Sequence, residues 1–140
     1  ISARDADKPE AVALAARLAR AGLTLYATSG TATALAAAGL DVERVHKISE
    51  GTPHVGDLIE SGAIDLVVNT PQGGQGARTD GFEIRAAAIR AGIPCITTIE
   101  AGRAAAAAIA AGGAGYPRAL QDGGRPTRPE GAFRPGPAVV

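Results

Sequence analysis

Apolar residues along the first 111 positions follow two alternating patterns, one typical of amphipathic helices and the other of buried strands. Between Pro9, a residue favoured at a helix start, and Gly22, favoured at a helix end, apolar residues recur at helical spacing. Ile64 and residues 66–68 instead form a nearly continuous apolar run, as expected for a parallel strand that is covered on both faces. Strands that alternate with helices predict crossover units and a parallel sheet.

The same patterns give a series of predicted elements. A truncated strand over 1–3 is followed by helices over 9–22, 31–38, 53–62, 82–91 and 100–111, and by strands over 23–27, 42–48, 64–70 and 93–99. A glycine-rich loop over 71–81 links the strand that ends in Asn69 and Thr70 to the next helix. We therefore predict an α/β fold, a Rossmann-like three-layer open sandwich with a mainly parallel central sheet.

The composition changes after residue 111. Twelve of the 29 residues from 112 to 140 are glycine or proline, and few are large and apolar. Such a segment buries too little surface to offset its ordering entropy. We predict a domain over 1–111 and a flexible, arginine-containing segment over 112–140. The chain opens on Ile1-Ser2-Ala3 as if within a strand and contains no methionine, so we expect a piece of a larger polypeptide.

Charge and residue usage exclude several classes of function. Lysine plus arginine equals aspartate plus glutamate, 14 each, which argues against binding to nucleic acid or to an anionic membrane. No apolar run approaches the roughly 20 residues that a membrane span needs. The single cysteine, Cys95, lies in a predicted strand as a small buried side chain, which fits a reduced, cytoplasmic setting. The two histidines, His46 and His54, have no partner at metal-ligand spacing, so we expect no metal site.

Polar residues follow the predicted strands at the edge where a parallel sheet binds ligands. Thr28, Ser29, Gly30 and Thr31 lie where a strand enters a helix, and Lys8 and Lys47 lie in neighbouring loops. Free amides at a helix N-terminus attract an anion, and the two ammonium groups favour a phosphate. Serine and threonine at this position are also common helix caps, which is the alternative interpretation.

Two further segments at this edge have open interpretations. Asn69 and Thr70 either contact a ribose or base beside the phosphate or bond locally to end their strand. The loop that contains Gly74 and Gly76 has part of a dinucleotide-binding fingerprint. It lacks the third glycine and the later acidic residue, so we reject a Rossmann cofactor site.

Several stretches together resemble the methylglyoxal-synthase-like superfamily, and within it the C-terminal allosteric domain of the carbamoyl phosphate synthetase large subunit. The likeness covers residues 1–111 and includes "SARDADK", "ATSGTATAL", "VHKISEGTPHVGDLIESGAIDLVVNTPQG" and "DGFEIRAAAIRAGIPCITT". The resemblance implies a regulatory domain without an active site, which binds uridine or inosine monophosphate and controls carbamoyl phosphate synthesis for the pyrimidine and arginine pathways. It implies no cofactor here. ATP, magnesium and bicarbonate belong to other domains, and the partners are those large-subunit domains and the glutaminase small subunit.

Residue by residue, the resemblance assigns the phosphate to Lys8, Thr28, Thr31 and Lys47, with Ser29 and Gly30 in the same turn. It assigns the nucleoside to Asn69 and Thr70 and places Thr98 near an activator site. Pro71 departs from relatives that have a hydroxyl at that position.

Two enzymes and a docking domain are the alternatives. A methylglyoxal synthase acting on dihydroxyacetone phosphate is implied to have a catalytic aspartate where this chain has Thr52, and a hydroxyl cannot replace a carboxylate base. Inosine monophosphate cyclohydrolase shares the fold, but its likeness fades beyond Gly39. A docking domain whose nucleotide site has decayed would bind no nucleotide or sugar phosphate.

Overall fold

The computed structural model describes residues 1–71, 80–111 and 138–140. Within this part of the chain the helices are α1 (Lys8–Arg20), α2 (Ser29–Ala37), α3 (Val55–Glu60), α4 (Asp80–Ala91) and α5 (Ile99–Ala110). The strands are β1 (Thr24–Thr28), β2 (Glu43–Val45), β3 (Val67–Val68), β4 (Cys95–Ile96) and β5 (Ala138–Val139). Two 3₁₀ turns, Asp5–Asp7 and Ile48–Glu50, precede α1 and follow β2.

All strand pairs among these residues are parallel. β1 lies between β2 and β5, with Thr28 opposite Val45 and Leu25 opposite Val139. β3 pairs with β4, and a bridge between Leu66 and Val139 connects the two groups of strands. The spatial order is therefore β2-β1-β5-β3-β4. Since the strands are parallel, the crossover helices begin near the carboxyl edge of the sheet, which we call the rim.

Two apolar clusters cover the two faces of the sheet. One cluster packs α1, α2 and α5 against inward residues that include Leu25, Leu66 and Val139. The other packs α3 and α4 against the alternate residues of the same strands, among them Val67 and Ala138. Helices on both faces of a parallel sheet make the three-layer α/β sandwich that the sequence predicts, so the fold class is confirmed.

Close approach of α5 to α1 depends on Gly102. A Cβ built on Gly102 would lie 2.5 Å from Cδ2 of Leu14, a fully buried side chain of α1. That separation is far below van der Waals contact, so residue 102 has no room for a side chain unless Leu14 moves. The alanine-rich sequence of α5 therefore includes one position, Gly102, where a side chain would clash with Leu14 as it is placed.

Helix boundaries differ from the sequence prediction by two residues at the start of α2, at both ends of α3 and at the start of α4. Helix α2 begins at Ser29 and not at Thr31, because Thr28 still has extended backbone (φ −70°, ψ 154°) and the helix starts directly after it. The start of α1 at Lys8 and the end of α4 at Ala91 agree with the predicted bounds to within a residue. This shift places Ser29, Gly30 and Thr31 in the first turn of α2.

Residues 138–140 also differ from expectation. The sequence predicts that they belong to a flexible segment, but Ala138–Val139 form β5 in the middle of the sheet, and both are almost fully buried. Their apolar side chains alternate between the two clusters, which explains why so short a segment is held. The rest of the predicted flexible segment, 112–137, and most of the glycine-rich loop, 72–79, lie outside the described residues.

Candidate anion site at the carboxyl edge of the sheet

The ammonium group of Lys8 lies over the first turn of α2. A Cβ built on Gly30 would be 3.1 Å from Nζ of Lys8, so the absence of a side chain at residue 30 lets the ammonium approach the helix. Lys8 also forms an ion pair with Asp5 (Nζ to Oδ1, 2.6 Å), and this contact lowers the pKa of the Asp5 carboxyl. The structure thus brings together Lys8 and the "TSGT" turn, which begins 20 positions later in the sequence.

The start of α2 is suited to an external anion. Thr28, the N-cap residue, makes no side-chain hydrogen bond to the first turn of the helix. The first turns of α1, α3, α4 and α5 each contain an acidic residue, whereas that of α2 contains none. Amides in the first turn of a helix have no intrahelical partner, and the helix dipole adds positive charge there. Among the described helices, α2 is therefore the one whose first turn has no acidic side chain to neutralise the positive end of the helix dipole.

Glu50 connects the backbone of Lys47 to the start of α2. Lys47 follows β2 by two residues, and its backbone N–H donates to Oε2 of Glu50 at 3.0 Å. The hydroxyl of Ser29 donates to the same carboxylate oxygen at 3.4 Å. Glu50 thus caps the 3₁₀ turn over Ile48–Glu50, and its carboxylate places a negative charge beside α2 that opposes an incoming anion.

The buried polar side chains of the described residues are Thr28, Thr31, Asn69 and Thr70, each at most 5% exposed. All of them bind residues 2–4. The Thr28 hydroxyl donates to that of Ser2 (3.2 Å), and the Asn69 amide donates to the Ser2 carbonyl (3.4 Å). The Ala3 and Arg4 N–H groups donate to Oγ1 of Thr31 and of Thr70, both at 3.0 Å. These four side chains therefore fix the segment that leads into α1 and set the position of Lys8.

Arg85 is a site residue that the sequence analysis missed. Its Nη1 donates to Oδ1 of Asn69, and a Cβ on Gly81 would lie 3.1 Å from Asn69 Oδ1 and 3.2 Å from Arg85 Nη1. Both ends of the Asn69 amide thus have partners within the protein. The only signal for Arg85 in the sequence was a basic residue early in a helix that begins at the rim.

Thr98 lies at a separate cavity of about 400 Å³. The hydroxyl of Thr98 accepts a hydrogen bond from the Ala101 N–H (3.2 Å) and so caps α5. Residues that line this cavity include Arg4, Asp7, Thr70, Pro71, Thr98 and Glu100. Thr70 and Arg4 connect this cavity to the segment over 2–4, whereas the Lys8 ammonium faces α2. Thr98 therefore does not join the anion site.

Three further side chains with possible chemical roles, those of Cys95, His54 and Thr52, lie outside the proposed anion site. Burial raises the pKa of the Cys95 thiol, although the charge of Arg85 opposes the effect, so the thiol is protonated at neutral pH. His54 caps α3, with Nδ1 accepting from the Asp57 N–H at 3.3 Å. Thr52 is exposed ahead of α3.

In the part of the chain that the structure describes, no group of three or more His, Cys, Asp or Glu side chains could hold a metal ion. The helices described there include none that is long and apolar enough to cross a membrane.

Comparison with known proteins gives a consistent result. The family model for the MGS-like domain matches residues 10–97. A carbamoyl phosphate synthase large chain, C-terminal section, from Methanopyrus kandleri is 50% identical over 109 residues, which are 78% of this chain and 20% of that protein. The large chains from Pseudomonas putida and Methanosarcina acetivorans are 43% and 47% identical over 87% and 78% of this chain. The chain spans only 11% and 10% of their lengths.

Proposed function

Because the chain belongs to the MGS-like domain family, we propose that it is the regulatory domain of a carbamoyl phosphate synthase large chain and binds a nucleoside monophosphate. In this proposal uridine monophosphate, or inosine monophosphate, binds with its phosphate at the start of α2. The ligand regulates carbamoyl phosphate synthesis, which takes place in other domains with ATP, magnesium and bicarbonate. The remaining large-chain domains and a glutaminase subunit are the proposed partners.

The contact of Lys8 with the first turn of α2 is the observation that supports a phosphate ligand most directly. Lys8 Nζ lies beside residue 30, in the first turn of α2, where the amides of Ser29 and Gly30 have no intrahelical partner. A hydrogen bond to a charged group contributes about 1.5–3 kcal/mol. A phosphate monoester is compact and doubly charged, and therefore suits this arrangement better than a carboxylate or a neutral sugar. Lys47 is assigned to the proposed phosphate site because its backbone N–H and the Ser29 hydroxyl bond to the same oxygen of Glu50.

The hydroxyls of Thr28 and Thr31 have a different role in this proposal. Because both bond to residues 2–4, they hold Lys8 and the start of α2 together. Asn69 and Thr70 act in the same way on the nucleoside side, where Arg85 lies beside Asn69. Ligand binding that moves residues 2–4 would change the energy of this bonding network, and a differential affinity of this kind is what regulation requires.

A lyase that acts on dihydroxyacetone phosphate is the second candidate, and the site favours it less. Proton abstraction needs a carboxylate base within reach of the substrate. Thr52, which stands where the resemblance to methylglyoxal synthase implies a catalytic aspartate, is an exposed residue. The carboxylate of Glu50, which lies beside α2, accepts hydrogen bonds from the Lys47 N–H and the Ser29 hydroxyl.

Titration calorimetry of the 140-residue chain tests the proposal. We expect uridine monophosphate to bind and uridine to bind far more weakly, because only the former has a phosphate. Lys8→Met should lower the affinity about 10- to 100-fold, with Lys8→Arg retaining most of it. Arg20→Gln, at the far end of α1, is the matched control. Equal affinity for nucleoside and nucleotide, or no effect of Lys8→Met, would contradict the site. Release of methylglyoxal from dihydroxyacetone phosphate would support the lyase.

A further inference from the structure

Helix α4 has an apolar surface that points away from the protein core. Phe82 and Ile89 are 52% and 74% exposed, and Ala86 lies between them on the same side of the helix, since the three follow the spacing i, i+4, i+7. We call the surface formed by these three residues the α4 face. The opposite side of α4, which includes Ile84 and Ala88, is buried against the sheet. Large apolar side chains exposed together on one helix mark a surface that binds another molecule.

Two opposite charges lie along one side of the α4 face. Glu83 follows Phe82 in the first turn of α4, and Arg90 follows Ile89 in the last turn. Because Glu83 and Arg90 are seven residues apart, they flank the α4 face on the same side, about 10 Å from each other along the helix. Among the described residues Glu83 has no ion-pair partner. Arg90 has only a long contact to Glu60 (Nη2 to Oε1, 3.8 Å), and both side chains are 67% exposed.

The α4 face is complementary to a second copy of itself. If two α4 helices pack antiparallel about a two-fold axis, every contact occurs twice and the charged flanks lie on the same side of the pair. With the crossing point near Ala86, whose small side chain allows close approach, Phe82 of each copy meets Ile89 of the other. On the flank, Glu83 of each copy meets Arg90 of the other. A parallel arrangement would instead bring like charges together.

We propose that the α4 face is a self-association interface, through which two copies of this chain form an antiparallel, two-fold symmetric dimer. The occupant is a second copy because the acid at the start of the helix and the base at its end complement each other only after a two-fold rotation. The face covers about two helical turns, which is a small contact compared with the roughly 1,200–2,000 Å² of stable interfaces. The dimer is therefore weak and reversible. The start of α2 takes no part in this contact, so the inference does not depend on the proposed nucleotide function.

Charge reversal at the two flanking residues tests the dimer. Analytical ultracentrifugation of the 140-residue chain, from about 10 µM to about 1 mM, should show a monomer–dimer equilibrium. Glu83→Arg and Arg90→Glu should each lower the association constant about tenfold, because each variant brings like charges together at two places. An equal mixture of the two variants should regain the association of the parent chain, since every charge pair in the mixed dimer is then of opposite sign. High salt should reduce the effect of each single variant.

Substitutions in the apolar part of the α4 face give an independent test. Phe82→Ser and Ile89→Ser should each lower the association constant about tenfold or more, because each removes apolar area from the contact. Ile109→Ser, at a position on α5 that is 38% exposed, and Arg20→Glu, at the far end of α1, are the matched controls and should leave association unchanged.

Thermal unfolding of each variant shows whether it is folded, and if a member of one set does not fold, the other set provides the same comparison. The proposal is overturned if the parent chain stays monomeric up to about 1 mM. It is also overturned if the α4 variants associate as tightly as the parent chain, or if the mixture of charge variants does not regain association.

Discussion

Gly30 is the residue that lets the Lys8 ammonium reach the start of α2, because a Cβ at position 30 would lie 3.1 Å from Nζ and 3.8 Å from Cε of Lys8. The close approach joins the first turns of two helices that follow different strands. Removing space at residue 30 and removing charge at residue 8 should therefore affect the same property, the affinity for a phosphate group.

Gly30→Ala should weaken binding of uridine monophosphate by several-fold while leaving the free energy of unfolding unchanged or slightly raised. The methyl group pushes the flexible end of Lys8 away from the helix amides, whereas alanine is a better helix former than glycine by up to about 1 kcal/mol. Calorimetry and urea unfolding of the same variant separate the two effects. An affinity equal to that of the parent chain would show that the ammonium does not act at this helix.

Thr31→Val should lower the free energy of unfolding by about 1–3 kcal/mol, because it leaves the partly buried N–H of Ala3 without its acceptor. Thr31→Ser keeps the oxygen and should retain most of the stability. Once corrected for the folded fraction, nucleotide affinity of the valine variant should change little. Full stability combined with lost binding would instead mean that the hydroxyl contacts the ligand directly.

Glu50→Gln should raise the affinity for a nucleoside monophosphate by a few-fold, because it removes a negative charge beside Ser29 and keeps an oxygen that can accept from the Lys47 N–H. An exposed charge at this distance has an effect of about 0.3–1 kcal/mol that salt reduces. The gain should therefore shrink between low and high salt in parallel titrations. Glu60→Gln, at the other end of α3, serves as the control. A lower affinity for the glutamine variant would contradict the inferred repulsion.

Gly102→Ala should lower the free energy of unfolding by about 1–3 kcal/mol through overpacking against Leu14. Leu14→Ala alone should also be destabilising, because it leaves a cavity. The two losses should not add in the double variant, since the smaller Leu14 side chain makes room for the new methyl group. Additive losses would show that α1 and α5 adjust independently.

The architecture could be predicted from the sequence because apolar residues recur clearly at the spacings of strands and helices. The run at 64–70 and the glycines after each helix locate the crossovers without tertiary information. The rim position of Lys8 and the "TSGT" turn followed from the rule that parallel strands present their carboxyl ends together.

Two features could not be predicted, because they depend on tertiary pairing. The segment at 138–140 is too short for a periodic signal and follows many glycines and prolines, so only its neighbours in space reveal it as a strand. In the same way, the side chains of Thr31 and Asn69 can be expected to form hydrogen bonds. The sequence does not show whether their partner is a ligand or the backbone of residues 2–4. The assignment of these residues to phosphate and nucleoside stays a prediction.

The positions of acidic residues in the first turns of the helices affect how an anionic ligand associates with the protein. The chain has no net charge, and the first turns of α1, α3, α4 and α5 are neutralised by their own carboxylates. The attraction for an anion is then confined to the neighbourhood of α2 and fades within a Debye length of about 8 Å at physiological salt. Encounter is consequently not steered over long distances, and the association rate should change little with ionic strength.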